Sequence, residues 1–277
     1  MIPEMSQLHS ILDSLSNEEK INVSKEVIKE AIDRFKPENM AIAMTGGKDS
    51  TTALWIYKQV CEEFGIKLPQ CVFIDEGDVF DEILEFVNYI KELWSLDIIF
   101  IKNEDVISKV STVGDIVKVS DLSESNQLAL KEDDFTKPQF HFMPDSEVCN
   151  HLMKTVPLRE FIVKNKIKAL STAIRWDEHE ARKSEEFFSP RAKPDHMRVH
   201  PILHLSERDI WITISKYDIP HNKLYKLGYR SLGARCSTGR NSDVPAWMQD
   251  LEHTPERVGR GQEKEKVMEH LRELGYM

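Results

Sequence analysis

Paired cysteines are missing from this chain. Its four cysteines, Cys61, Cys71, Cys149 and Cys236, form no Cys-x-x-Cys pair, which argues against a disulfide framework and for a reducing compartment. Long apolar runs are missing too: none approaches the roughly 18 residues of a membrane span. The start, Met-Ile-Pro-Glu-Met-Ser, has neither the basic nor the apolar region of a secretory signal. A cytoplasmic protein with no membrane partner is expected. Positive charge is in deficit, with 37 Lys and Arg against 47 Asp and Glu and a formal net charge of −10. Neutralising the phosphates of a duplex needs the opposite balance, so no nucleic-acid partner is expected. The Gly-x-x-x-x-Gly-Lys-Ser/Thr phosphate-binding loop is also absent.

What the chain does have is 277 residues, 40% of them hydrophobic, enough for the core of one large or two small domains. Residues 40–52 are the most informative stretch. An apolar run, Met40-Ala41-Ile42-Ala43-Met44, breaks into Thr45-Gly46-Gly47 and then a polar, helix-starting Lys48-Asp49-Ser50-Thr51. That order reads as a strand ending in an oxyanion cradle. The glycines let backbone approach an anion closely, while hydroxyls, the Lys48 ammonium and the N–H groups of the next helix are donors.

Helix and strand alternate around it. Ser16-x-x-Glu19 is a capping box opening a helix to about residue 35, and strand 40–44 leads into a helix over 50–64. Strand 71–75, a helix with apolar residues at 80, 83, 84, 87, 90 and 94, and strand 98–101 follow. This βαβαβ pattern predicts an α/β fold: a doubly wound, mainly parallel sheet flanked by helices, with its ligand site at the carboxyl ends of the strands. Thr45, Asp75 and Gly77 fall there, and position alone assigns Asp75 and Gly77 to the adenosine side. Three parts are expected: an N-terminal helical segment, 1–36; a nucleotide-binding α/β domain, 37–217, interrupted by an irregular insertion at 103–144; and a C-terminal extension, 218–277, packing over the site. A helix over 146–165 and a strand over 167–172 precede a second cluster, Arg175-Trp176-Asp177-Glu178-His179-Glu180-Ala181-Arg182-Lys183. A charged run of this kind reads either as a solvated helix laced with ion pairs or, at a strand's carboxyl end, as arginines clamping phosphate or a tetrahedral oxyanion. Cys61 and Cys71 read as core residues, while Cys149 and Cys236 lie in polar surroundings.

Thr45-Gly46-Gly47-Lys48-Asp49-Ser50 resembles the Ser-Gly-Gly-x-Asp-Ser loop of the PP-loop ATP pyrophosphatase superfamily, which implies the adenine nucleotide alpha hydrolase-like fold. Within that group the chain resembles the branch of phosphoadenosine phosphosulfate reductase and the small, ATP-handling subunit of sulfate adenylyltransferase. The segments Met153-Lys154-Thr155, Arg175-x-Asp177-Glu178-x-x-x-Arg182, Phe188-Ser189-x-Arg191, Arg198-Val199-x-Pro201, Glu207-x-Asp209-Ile210-Trp211 and Glu256-Arg257-x-Gly259-Arg260 carry this likeness. The run Ile219-Pro220-x-Asn222-x-Leu224-Tyr225-x-x-Gly228-Tyr229-x-Ser231-Leu232-Gly233 looks at least as much like the reductases. Reductases of this kind carry a Glu-Cys-Gly nucleophile, or cysteine pairs for an iron-sulfur cluster. This sequence offers only Cys149 and Cys236 at the comparable places, so no cluster is expected.

The resemblance therefore implies a nucleotidyltransferase: ATP-dependent adenylyl transfer to sulfate with release of pyrophosphate, assisted by Mg²⁺ and a separate GTPase subunit. An oligomer is compatible with the sequence. The alternative is a (phospho)adenylyl sulfate reductase or another sulfur-transfer enzyme of the same family. In the first reading Lys48, Arg175, Arg182 and Lys183 neutralise charge on the transferring and leaving groups. Thr45, Gly46, Gly47, Asp49, Ser50 and Thr51 surround the ATP phosphates, and Arg257 and Arg260 close over the site from the tail. No metal ligand is identified.

Overall fold

The computed structural model describes residues 5–259. Helices α1 (Met5–Asp13) and α2 (Asn17–Phe35) lead in, and α2 begins at the predicted capping box, where the Ser16 N–H donates to the Glu19 carboxylate at 2.8 Å. The predicted βαβαβ unit follows as β1 (Met40–Ala43), α3 (Lys48–Phe64), β2 (Gln70–Asp75), α4 (Asp81–Leu93) and β3 (Ile98–Lys102). Gly65 stops α3 in the left-handed conformation, φ 64°.

The segment expected to be irregular has structure of its own. It contains α5 (Glu104–Ile107), β4 (Ile116–Lys118), α6 (Glu124–Glu132) and β5 (Gln139–His141), with β4 and β5 paired antiparallel so that Val117 faces Phe140. Val106, Val117, Leu130, Phe140, Phe142 and Leu152 form a core separate from that of the main sheet. The helix expected over 146–165 is broken in character: α7 (Glu147–Asn150), a π turn over His151–Thr155, then α8 (Val156–Lys164) with Pro157 in its first turn. Proline lacks an N–H to donate backward, and the wider turn accommodates that.

The chain then returns to the main sheet with β6 (Ala169–Ser171), the hairpin β7 (Phe188–Ala192) and β8 (Asp195–Val199), and ends its regular structure with α9 (Glu207–Lys216). Strand order is β3-β2-β1-β6-β8-β7, parallel throughout except for β7. Strand β1 is buried on both faces, Met40 and Ile42 toward one core cluster and Ala41 toward the other, as parallel strands between helical layers are. Ile42 lies opposite Cys71 on β2 and opposite Ser171 on β6. Connections therefore run outward from β1 in one direction and from β6 in the other, so the loops after these two strands diverge and leave a crevice between them. Among the described residues no helix is long and apolar enough to cross a membrane.

Candidate active site

The crevice holds a cavity of about 370 Å³, walled by the loop after β1, the residues after β6, the β7–β8 hairpin and the segment 231–234. Its floor is apolar, with Val72, Ile74, Leu158, Ile162 and Leu170, which suits a flat base better than a bare ion.

The glycine loop is shaped by its own hydroxyls. The Thr45 N–H donates to Ser50 Oγ at 3.2 Å, Ser50 Oγ donates to the Gly47 carbonyl at 3.1 Å, and Thr51 Oγ1 donates to the same carbonyl at 2.9 Å. Gly46 sits at φ 72°, and a Cβ there would lie 2.8 Å from Ile83 Cγ2, so side-chain-free, left-handed backbone is required. Gly47 is the N-cap of α3 and supplies no capping side chain. The first N–H groups of the helix consequently face the crevice without an intrahelical acceptor. The N–H of Lys48 is taken by the Tyr225 hydroxyl at 2.7 Å.

Behind the loop lies a buried ionic network. Lys48 Nζ meets Glu256 Oε1 at 2.5 Å, the Arg230 carbonyl at 2.9 Å and both Asp49 and Glu207 at 3.6 Å. Arg175 pairs with Asp49 and Glu256, and with Asp177 at 2.9 Å. Arg230 forks onto Glu207, with NH2 at 2.6 Å from Oε2. Burial works against the Lys48 charge, but Asp49, Glu256 and Glu207 outweigh it and raise its pKa. Burial likewise pushes Asp49 up to about 6, with Arg175 and Lys48 pulling it down less than burial lifts it. Glu256 goes the other way: Arg175 and Lys48 overcome its burial and hold it well below the usual carboxylate range.

Of the residues singled out from the sequence, Thr45, Gly47, Lys48, Asp49, Ser50, Arg182 and Arg257 line the cavity. Arg257 reaches in from the C-terminal segment and pairs with Glu178 at 3.0 Å, beside Arg182 on the same carboxylate. Gly46, Thr51 and Arg175 stand behind that wall and shape it. Lys183 does not join them: it pairs with Glu180 at 2.7 Å and its side chain is 60% exposed. The run 175–183 is two 3₁₀ turns, over Trp176–Glu178 and Glu180–Arg182, rather than a solvated helix, which is why neighbouring charges part company here. Asp75 and Gly77 are off the cavity wall too. Asp75 accepts the Gly77 N–H at 2.9 Å, and Gly77, at φ 84°, clears space for Ile107 and Phe142 of the insertion. Arg260 lies outside the described residues. Glu256, Glu207, Arg230 and Tyr225 were not assigned a role from the sequence, although Glu256 stands in the Glu-Arg-x-Gly-Arg segment.

The cysteines divide sharply. Cys61 and Cys71 are in the main core, as expected. Cys149, expected in polar surroundings, is fully buried in the insertion core, with its Sγ accepting the Met143 N–H at 3.3 Å, and burial raises its pKa. Cys236 is exposed, on a 3₁₀ turn, Arg235–Ser237, that directly follows the cavity-lining 231–234. Asp78 holds that turn: its Oδ2 accepts the Cys236 N–H at 2.7 Å and its carbonyl accepts the Arg235 N–H at 2.8 Å. Thiols so dispersed do not fit a four-thiolate cluster. Among the described residues no group of three or more His, Cys, Asp or Glu is placed to hold a metal ion.

Comparison with known proteins places this geometry. The family model of the phosphoadenosine phosphosulfate reductase domain matches residues 39–240, which spans both walls of the crevice. The chain belongs to that family. Among curated proteins the chain is similar to the adenosine 5′-phosphosulfate reductase of Bacillus cytotoxicus, 26% identical over 186 residues, covering 66% of this chain and 76% of the relative. That of Geobacillus kaustophilus is 27% identical over 194 residues, covering 68% and 78%. Two solved structures share the fold. Candida glabrata FMN adenylyltransferase with FAD and pyrophosphate has a TM-score of 0.60 at 21% identity, over 94% of this chain and 80% of that one. The phosphoadenylyl-sulfate reductase of Candida auris, a phosphate complex, has a TM-score of 0.56 at 17% identity, over 84% and 95%. The parallel sheet and its family are thus those the sequence implied. The expectation of sulfate adenylyltransferase activity is overturned, because the matching family and curated relatives are reductases of adenylylated sulfate. A glycine loop and arginines that can hold an oxyanion suit both chemistries and do not separate them.

Proposed function

We propose that the cavity binds an adenylylated sulfate and that the chain takes part in its reductive cleavage to sulfite and nucleotide, with the Cys236 thiolate as attacking group. One observation carries the reading. The wall formed by 231–234 runs straight into the turn exposing Cys236, and Asp78 pins that turn beside the carboxyl end of β2. The other thiol outside the main core, Cys149, is enclosed and held in its protonated form, and the thiolate is the nucleophile.

The electron balance follows from the bonds. Cys236 sulfur attacks the sulfur of the sulfuryl group, the S–O bond to the phosphate breaks, and the nucleotide 5′-phosphate leaves with the bonding pair. The product is an S-sulfocysteine. A dithiol reductant then attacks Cys236 Sγ through one thiolate and expels sulfite with the S–S pair. Its second thiol resolves the mixed disulfide and restores Cys236. The helix N-terminus at 47–50, Arg182 and Arg257 would hold the phosphosulfate anion.

The test is a single turnover with radiosulfur-labelled adenosine 5′-phosphosulfate in the absence of reductant. Labelled protein is expected from the wild type and Cys149→Ser, and none from Cys236→Ser, with nucleotide binding kept in all three. A label that survives Cys236→Ser would refute the assignment of the nucleophile.

A further inference from the structure

Thr172 follows β6 and lines the cavity. Its N–H donates to the Val199 carbonyl at 2.9 Å, so the β6–β8 ladder runs on past Ser171 and Thr172 keeps the face of Leu170, a residue of the apolar floor. Ser171 lies opposite Ile42 on β1, which sets Thr172 level with Ala43, just before the glycine loop. Thr172 therefore stands between floor and loop, where the sugar of a nucleotide joins its base to its phosphate.

Thr172 Oγ1 lies 2.8 Å from His200 Nδ1, and the other ring nitrogen, Nε2, lies 3.7 Å from Glu185 Oε2. His200 is buried, 2% exposed. Burial, then Arg198, Arg191 and Arg182, hold its pKa well below the ordinary histidine value against a smaller pull from the Thr172 backbone, so the ring is neutral near pH 7. A neutral imidazole carries one proton. On Nδ1 that proton would leave the Nε2 lone pair facing the Glu185 carboxylate, whereas on Nε2 the N–H faces it. The second arrangement is lower in energy. Glu185 is itself fixed: its Oε2 accepts the Ser189 hydroxyl at 2.9 Å, and Arg191 NH2 lies 3.3 Å from Oε1.

Nδ1 is then an acceptor, and the Thr172 hydroxyl commits its one proton to it. A hydroxyl has one donor and two acceptor sites, so what remains for the cavity is an oxygen that only accepts. It suits a donor on the ligand and disfavours a phosphate oxygen. An adenine nucleotide has two kinds of donor, its ribose hydroxyls and the exocyclic amine of the base. The base belongs on the apolar floor, which leaves the ribose at the level of Thr172.

We propose that Thr172 accepts a hydrogen bond from a ribose hydroxyl of the bound nucleotide, and that His200, backed by Glu185, is the positioning residue that keeps Thr172 an acceptor. This rests on the reading that the cavity holds an adenine nucleotide. Together the three residues select a ribonucleotide over its deoxy counterpart, which would leave the Thr172 oxygen without a donor.

Titration calorimetry with AMP, 2′-deoxy-AMP and 3′-deoxy-AMP is the test. AMP is expected to bind the wild type about tenfold more tightly than one of the two deoxynucleotides, and that one identifies the hydroxyl. Thr172→Val should erase the preference, and Thr172→Ser should restore it. His200→Phe, with Thr172 intact, should weaken it, because the hydroxyl is then free to turn and donate. A protein merely loosened by these substitutions would lose affinity for all three nucleotides alike and keep its preference. AMP binding without any preference in the wild type overturns the proposal and leaves the nucleotide reading standing. A preference that survives Thr172→Val does the same. One lost in Thr172→Val but untouched in His200→Phe overturns the positioning role. Failure of every nucleotide to bind overturns the nucleotide reading and this proposal with it. The wild-type comparison alone is decisive should the variants fail to fold.

Discussion

Removing the Glu256 carboxylate should destabilise the chain far more than its place near the end of the described residues suggests. Glu256 bridges Lys48 Nζ, at 2.5 Å, and Arg175, both buried. Deleting one partner of a buried pair typically costs about 3–5 kcal/mol because the other charge stays behind. Here each cation keeps further carboxylates, Asp49 and Glu207 for Lys48 and Asp49 and Asp177 for Arg175. The lower end, about 3 kcal/mol, is therefore expected for Glu256→Ala. At about 2–4 °C per kcal/mol for a chain near this size, that is roughly 6–12 °C in Tm. Thermal unfolding followed by tryptophan fluorescence at pH 7 measures it. The pH dependence supplies a second check. Because the folded-state pKa of Glu256 is depressed, its contribution is present above the unfolded carboxylate value near ~4.3 and is lost as pH falls toward the folded value. The difference between wild type and variant should therefore narrow on acidification below about pH 4. A Tm within about 2 °C of wild type at pH 7, less than the shift of a single kcal/mol, would refute the reasoning. So would a difference that does not shrink in acid.

Asp49, pushed up to about 6, should make nucleotide binding pH-dependent: its protonation as pH falls from 7.5 to 5.5 removes a negative charge beside the phosphate site. AMP affinity should rise across that range by more in the wild type than in Asp49→Asn, and equal slopes would remove Asp49 as the cause. Tyr225→Phe deprives the buried Lys48 N–H of its acceptor and should cost about 1–3 kcal/mol in urea unfolding. A bound phosphate can take over that N–H, so saturating nucleotide should narrow the deficit, and a deficit untouched by ligand would argue that no phosphate reaches the helix start.

The strand, loop and helix around Gly46 were legible because their signals are local: an apolar run, two glycines and a helix-starting polar stretch adjoin in sequence. The capping box at Ser16 was legible for the same reason. The insertion was not. Its strands, Ile116–Lys118 and Gln139–His141, are three residues each, too short for their alternation to be read, and their apolar residues read as loop until the second core assembles them. Lys48 illustrates a different limit. Its place in the loop made it a phosphate ligand on paper, whereas its nearest carboxylate, that of Glu256, lies 208 positions away and leaves no mark on local pattern. The separation of Arg182 from Lys183 depends on a 3₁₀ turn where charge periodicity suggested a helix.

Sheet order explains why one cavity presents two different electrostatic ends. The glycine loop follows β1, at the centre of the sheet, where surrounding elements bring carboxylates from α9 and the C-terminal segment onto its cations. The hairpin β7–β8 lies at the sheet's edge, beyond β6, where Arg191 pairs with Glu185 from the segment before β7. The exposed thiol of Cys236 stands on the β2 side of the cavity, away from the hairpin. Substitution of Cys236 should therefore remove turnover while nucleotide affinity persists, and unchanged turnover in Cys236→Ser would refute that placement.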